Sequence, residues 1–453
     1  MFLSALRRPA AMILLATLVG CSPAAMPPPP AAPLTPDLPL ATARTLAQVP
    51  SVVTEPQDLV YAYEERLLRA YTRDWRQDGV ALRWNDLAID ALDDFVSSPP
   101  CMARMLTMMH IAIHETMRQV RAGGGDTIAQ EAAAAFAAAQ VLTYGYWQYR
   151  EVWASLAARD PAVLAADAGT AELRARDVTG RLIGYARTDR AHERDAYVLP
   201  PLPGSWYDPQ PVEATAGAWR PWVLSSGGAV EVPVPPAVGT PSFEAMLQGV
   251  RDAQENLTPT RAKNAVLWSA IVPPVDLNRV AAIELVDRGL PSFEVAEILM
   301  WLNIVQADAL IVAWKEKYQL RLIRPDQADP SFVPLIEQPE AIALFQSLPI
   351  TRAVPDFAPQ FEAATPRHPT YPSGHSSNSM AAAVYLAYVF PDRAALWYGL
   401  ANASGLSRID LGVHYAFNHL GGQVIGQAVA DRVIAYIEET GGVYRAPWET
   451  PAL

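Results

Sequence analysis

From about residue 55 onward, apolar residues recur at three- and four-residue intervals, and no stretch sustains a strict apolar–polar alternation. A three-to-four spacing lines one face of a helix, whereas a half-buried strand needs a period of two. The chain is therefore expected to be all-α, a large helical bundle interrupted by irregular Pro-rich loops. The spacing predicts helices over 59–71, 84–95, 102–120, 131–158, 161–185, 276–290 and 292–318. It predicts others near 340–348 and over 376–390, 393–406 and 412–440. The segment 199–242 breaks the pattern with many prolines and with Trp206, Trp219 and Trp222. It is too long for an ordinary connection and is expected to be a packed cover near a site. A second irregular region spans about 325–372.

The chain has 453 residues, 51% of them hydrophobic and 18% charged, enough for a large core. The formal net charge is −12. A general nucleic-acid binder would be basic, so nucleic acid is not an expected partner. Any anion site must be a local concentration of Arg and Lys. Two cysteines, Cys21 and Cys101, are too few for a disulfide framework or a cysteine-based metal site.

Residues 1–20 read as an export signal, with Arg7 and Arg8 before an apolar run over 10–19. The run ends Leu18-Val19-Gly20-Cys21, which resembles a bacterial lipobox. That resemblance implies lipidation of Cys21, and Ser22 after it leans towards the outer membrane. The expected location is the bacterial cell envelope, outer membrane or periplasm, with membrane contact through the N-terminal lipid. A Pro/Ala-rich tether follows over 21–54. The expected organisation is then an N-terminal helical region over 55–240 and a C-terminal helical bundle over 241–453. No later stretch reads as apolar enough for long enough to span a bilayer.

Three groups of residues carry chemistry. Lys317 is followed, after six residues, by Arg324-Pro325. Pro372-Ser373-Gly374-His375 leads into an apolar helical run. Ser407-Arg408 is followed, after five residues, by His414, with Asn418 four further on. Ser373 suits an N-cap, and a helix start offers free N–H groups and the positive end of the dipole to an anion. Two guanidinium forks and an ammonium match a multiply charged tetrahedral oxyanion. The Ser373 hydroxyl and Gly374 N–H add donors. Two histidines allow one to bind or attack the central atom while the other moves protons. His414 and Asn418 are expected one turn apart on a single helix.

In these motifs, over about 314–422, the chain resembles the superfamily of type 2 phosphatidic acid phosphatases and vanadium-dependent haloperoxidases. The family patterns Lys-x6-Arg-Pro, Pro-Ser-Gly-His and Ser-Arg-x5-His-x3-Asp map onto the three groups, except that Asn418 stands where the family has Asp. The resemblance implies one cage with two chemistries. In a haloperoxidase, vanadate is the cofactor, with His414 as its axial ligand and His375 assisting proton transfers. Lys317, Arg324, Ser373, Gly374 and Arg408 hold its oxygens. Hydrogen peroxide then oxidises a halide. In a phosphatase without cofactor, His414 attacks phosphorus in a phosphate ester and His375 protonates the leaving group. An Asp at 418 would raise the basicity of His414, whereas Asn418 can only orient the ring. That leaves a third reading, a non-catalytic oxyanion-binding lipoprotein.

His368 resembles the loop histidine of bromide-using haloperoxidases, so bromide is expected over chloride. Trp314 stands three residues before Lys317, where haloperoxidases also carry an aromatic residue. The segment from Trp84-Asn85 to Met117 resembles the N-terminal helices of bacterial haloperoxidase-like proteins. Arg408 stands only 33 positions after His375, as compact as in phosphatases. His110 and His114, four apart in a Met-rich segment, are expected in a core helix rather than at a metal.

Overall fold

The computed structural model describes residues 56–94, 98–193, 200–270, 272–354, 364–446 and 448. Its helices are α1 (Pro56–Thr72), α2 (Val80–Asp94), α3 (Pro99–Ala122), α4 (Thr127–Gly145), α5 (Arg150–Ala158) and α6 (Pro161–Ala165). Next come α7 (Ala168–Ala186), α8 (Pro241–Glu255), α9 (Pro259–Ala270), α10 (Pro273–Arg288), α11 (Ser292–Leu320) and α12 (Pro325–Ala328). The last are α13 (Pro339–Ser347), α14 (Pro349–Ala353), α15 (Gly374–Val389), α16 (Ala394–Asp410) and α17 (Ala416–Thr440). Among the described residues there is no strand, only an isolated antiparallel bridge between Ser205 and Leu322. The all-α expectation holds. The expected signal, the tether and Cys21 lie outside the described residues.

Three differences from the periodicity have local causes. The helix expected over 131–158 stops at Tyr146, which leaves helical geometry (φ −132°, ψ 58°) and buries its ring. The one expected over 161–185 restarts at Asp167, whose carboxylate accepts the N–H groups of Gly169 and Thr170. Helices α8 and α9 were not expected. For α8 the signal was present: Thr240 caps it, Pro241 opens it, and Phe243, Leu247 and Val250 are buried at helical spacing.

Helix α11 is the axis of the bundle, packed against α3 on one side and α15 and α17 on the other. By length and composition it could cross a membrane, which corrects the expectation that no such stretch follows residue 55. In the fold 89% of its most apolar window is buried, as in a core helix. The main core runs without interruption from Tyr63 on α1, through the Met and Ile side chains of α3, to Ala446. Aliphatic and aromatic groups on α11, α15 and α17 close it, and their removal from water is the chief favourable contribution to such a fold.

The irregular stretch from residue 200 is a strap fixed along α11. Buried Asp308 accepts the N–H groups of Trp222, Val223 and Leu224 at 2.7, 3.0 and 3.0 Å. Burial raises its carboxyl to about 6, although the three donors pull the other way. A turn and a half further on, Trp314 Nε1 and Tyr318 Oη donate to the Val212 carbonyl at 3.4 and 2.6 Å. At the end of α11, Trp206 N–H donates to the Arg321 carbonyl. Trp206, Trp219 and Trp222 are all buried. The strap also reaches the 364–373 loop, through Val212 N–H to the Arg367 carbonyl and through an Arg367–Asp208 ion pair at 2.9 Å. It thus links the end of α11 to the loop that enters α15.

Candidate oxyanion site

Ser373 is the N-cap of α15, and its hydroxyl accepts the Ser376 N–H. The first-turn N–H groups of Gly374 and His375 have no carbonyl within the helix to donate to. Gly374 lies against the indole of Trp314; a Cβ there would stand 3.2 Å from Cζ3. The turn thus brings the free end of α15 against α11, where Lys317 lies one turn beyond Trp314.

Three cations converge here, and all are buried: Lys317 and Arg324 at 0% exposure and Arg408 at 4%. Lys317 Nζ donates to the carbonyls of Pro369 and Thr370 at 2.7 and 3.2 Å. Arg324 spreads its fork over the His368 and Val413 carbonyls at 3.0 and 2.7 Å and over His368 Nδ1 at 3.1 Å. Arg408 Nη1 donates to the Trp268 carbonyl at 3.0 Å and to Ser269 Oγ at 3.1 Å. Among the described residues none of the three forms an ion pair with a carboxylate. Burial, reinforced by Arg324, drives Lys317 well below its ordinary 10.5. Burial lowers Arg324 to about 10, and burial with Arg324 lowers Arg408 to about 9. Removing unpaired charge from water costs on the order of several kcal/mol per ion. The hydrogen-bond partners present are neutral: carbonyls, a hydroxyl and the His368 ring. The Asp326 carboxylate acts on Arg324 through its charge without an ion pair.

His414 sits among these cations and is 3% exposed. Burial first, then Arg324, Lys317 and Arg408, hold it well below the ordinary imidazole value, so the ring is neutral. Its Nδ1 lies 3.0 Å from Thr370 Oγ1. The ring is not on the same helix as Asn418, contrary to expectation. Gly412 turns the chain at φ +86°, and α17 begins only at Ala416, with Tyr415 as its N-cap. Asn418 is the N3 residue, and its side chain accepts the Tyr415 N–H at 2.7 Å in a capping box. It meets His414 only through Thr370, whose hydroxyl lies 3.0 Å from Asn418 Oδ1.

His375 Nε2 donates to the Trp268 carbonyl at 3.0 Å, the oxygen that Arg408 also uses. His368 stacks obliquely on Trp314, with centroids 5.0 Å apart. His368 Nδ1 lies between Arg324 Nη2, which can only donate, at 3.1 Å and the Pro369 carbonyl, which can only accept, at 3.2 Å. Burial, then Lys317 and Arg324, hold His368 well below its usual value. Lys317 Nζ is 5.7 Å from the Trp314 ring centroid.

The positions singled out in the sequence are thus gathered by three loops at the ends of α11, α15 and α16. Sequence reasoning missed Thr370 and the Trp268–Ser269 end of α9, because neither carries a motif; their contacts arise from tertiary approach. His110 and His114 are buried in α3, where His110 Nε2 meets Asn85 Oδ1 at 3.0 Å. Among the described residues no group of three or more His, Cys, Asp or Glu side chains is placed to hold a metal cation. The donor set around His414 instead suits an anionic group: one neutral imidazole, three cations and a helix N-terminus.

A family model described as the PAP2 superfamily matches residues 317–440. No curated protein matches the chain. Among solved structures, a bacterial vanadium-dependent iodoperoxidase superposes with a TM-score of 0.59 at 18% identity, covering 84% of this chain and 96% of that one. A bacterial vanadium-dependent chloroperoxidase superposes in its apo form with a TM-score of 0.55 at 12% identity, covering 75% and 93%. A holo form of such a chloroperoxidase gives 0.51 at 14% identity, covering 89% and 95%. Residues 317–440 thus match the model of the PAP2 superfamily, and the chain shares the all-helical fold of the vanadium-dependent haloperoxidases.

Proposed function

We propose that the protein is a vanadium-dependent haloperoxidase-like enzyme that oxidises halide with hydrogen peroxide at a vanadate held by His414. The observation that carries this reading is the set of buried cations Lys317, Arg324 and Arg408 around a neutral imidazole, none of them in an ion pair with a carboxylate among the described residues. A bound oxyanion supplies the charge they lack. Vanadate, when bound, supplies the electrophilic centre at which peroxide becomes competent to oxidise halide. The chain's own groups bind and orient it. Lys317, Arg324 and Arg408 neutralise its oxygens, the Ser373 hydroxyl and Gly374 N–H donate to them, and His414 offers a ring nitrogen. His375 exchanges protons at the mouth of α15. His368 and Trp314 line the side where a halide would approach, with the His368 ring stacked obliquely on the indole. The solved relatives are an iodoperoxidase and chloroperoxidases, so the choice of bromide rests on His368.

The compact spacing between His375 and Arg408 favours the second reading, a phosphatase working through His414 on phosphate esters. Asn418 weighs against it, since a neutral amide gives less support to an imidazole that must become a charged phosphohistidine. The test is a pair of assays on the purified protein. Bromination of a phenolic dye by hydrogen peroxide should rise when vanadate is added. Hydrolysis of an aryl phosphate without any vanadate-dependent bromination would replace the first reading by the second. Vanadate uptake with neither activity would leave a binding protein.

A further inference from the structure

Asn418 Oδ1 accepts the Tyr415 N–H at 2.7 Å, which fixes that atom as the amide oxygen. It can therefore only accept from Thr370, 3.0 Å away. The Thr370 hydroxyl has one hydrogen and two oxygen acceptors, Asn418 Oδ1 and, at 3.3 Å, the Val413 carbonyl. With either partner that hydrogen points away from His414. With the hydrogen on either oxygen, the 3.0 Å contact between Thr370 Oγ1 and His414 Nδ1 is a donation from the ring; the opposite tautomer needs the hydroxyl to turn from both oxygens to Nδ1. Nδ1 carries the proton, and Nε2 keeps its lone pair.

We propose that Thr370 is a positioning residue, which relays the anchoring of Asn418 to His414 and so sets the tautomer that offers Nε2 to an oxyanion. The inference rests on the oxyanion reading above and specifies how this chain manages without an acidic residue at 418. Thr370, Asn418 and His414 are 0%, 0% and 3% exposed, so water does not compete for these bonds. Thr370 is itself fixed at both ends of its backbone. Its N–H donates to the Leu322 carbonyl at 3.1 Å, and its own carbonyl accepts from Lys317 Nζ at 3.2 Å. One residue thus ties the imidazole to a cation of the cage. Asn418 Nδ2 is buried without a partner, so its oxygen alone carries the relay.

The test compares the full-length protein with Thr370→Val and Thr370→Ser by two readouts. Calorimetric titration with orthovanadate should show about 10–100-fold weaker binding for the Val variant, the usual cost of losing a group that orients a ligand. The Ser variant should stay within about threefold of wild type. Nitrogen chemical shifts of His414, measured without vanadate, should report an Nδ1–H ring in wild type and Thr370→Ser and a mixture in Thr370→Val. Equal affinity in all three proteins, or a Ser variant as weak as Val, would overturn the relay. So would an Nε2–H ring in wild type. If wild type takes up no vanadate, the oxyanion reading fails, while the His414 tautomer still decides the relay.

Discussion

Replacing His414 by alanine should abolish the proposed vanadate-dependent bromination, with turnover down by about a thousandfold or more, because losing one group of a unit removes most of the unit's effect. The ring is neutral, buried and held at Nδ1, so its other nitrogen is the one uncharged donor among three cations. Alanine leaves those cations in place and removes the ring nitrogen that would bond the central atom of a bound oxyanion. Circular dichroism should be unchanged, since His414 lies outside the helices that flank it. Activity within tenfold of wild type in a folded His414→Ala protein would refute the assignment of this residue.

Lys317→Met separates stability from binding. Methionine keeps most of the chain length and removes a buried ammonium that has no carboxylate partner among the described residues. Oxyanion affinity should fall about 10–100-fold, the worth of a charge-assisted hydrogen bond of about 1.5–3 kcal/mol. The ligand-free protein should become more stable, by about 1–2 kcal/mol at pH 7. Relief from burying charge exceeds the loss of donors to the Pro369 and Thr370 carbonyls. The sign with pH follows from the lowered value of Lys317. Between that value and the ordinary 10.5, the unfolded chain binds the extra proton, so the penalty on wild type shrinks as pH rises. Urea unfolding of both proteins at pH 7 and 9.5 should show the gap narrowing. Added vanadate should narrow it too, because the anion supplies the missing partner. A variant less stable than wild type in every condition would contradict this reading of the cage.

Much of this site could be read along the chain, because its charged groups occur in three short motifs whose spacing survives any packing. Ser373 announced a helix cap, and Lys317, Arg324 and Arg408 announced the cage. The helical spacing also marked α11 and α15, since a buried helix must show its apolar face in sequence. The relation between His414 and Asn418 was misread for a local reason. Four residues apart suggests one turn of helix, but Gly412 at φ +86° and the Tyr415 cap delay α17 until residue 416. Thr370 and the Trp268 carbonyl were illegible for a different reason. A lone Thr carries no pattern, and a backbone carbonyl carries no side-chain signature at all. Their roles exist only once the 364–373 loop, the end of α9 and the 411–415 turn meet. The Trp/Pro-rich strap lies between: its prolines excluded helix, but Asp308, which anchors it, is an ordinary acid within an apolar helix until the fold brings three N–H groups to it.

The most direct test of the account is a calorimetric titration of orthovanadate into the wild-type protein, followed by thermal unfolding of the mixture. The account predicts one vanadate per chain and displacement by excess phosphate. It also predicts a gain in stability of about 2.7 kcal/mol at a hundredfold excess over the dissociation constant. No heat of binding and no shift in unfolding at millimolar vanadate would contradict it, because three buried cations would then stand around His414 for some purpose other than holding an oxyanion.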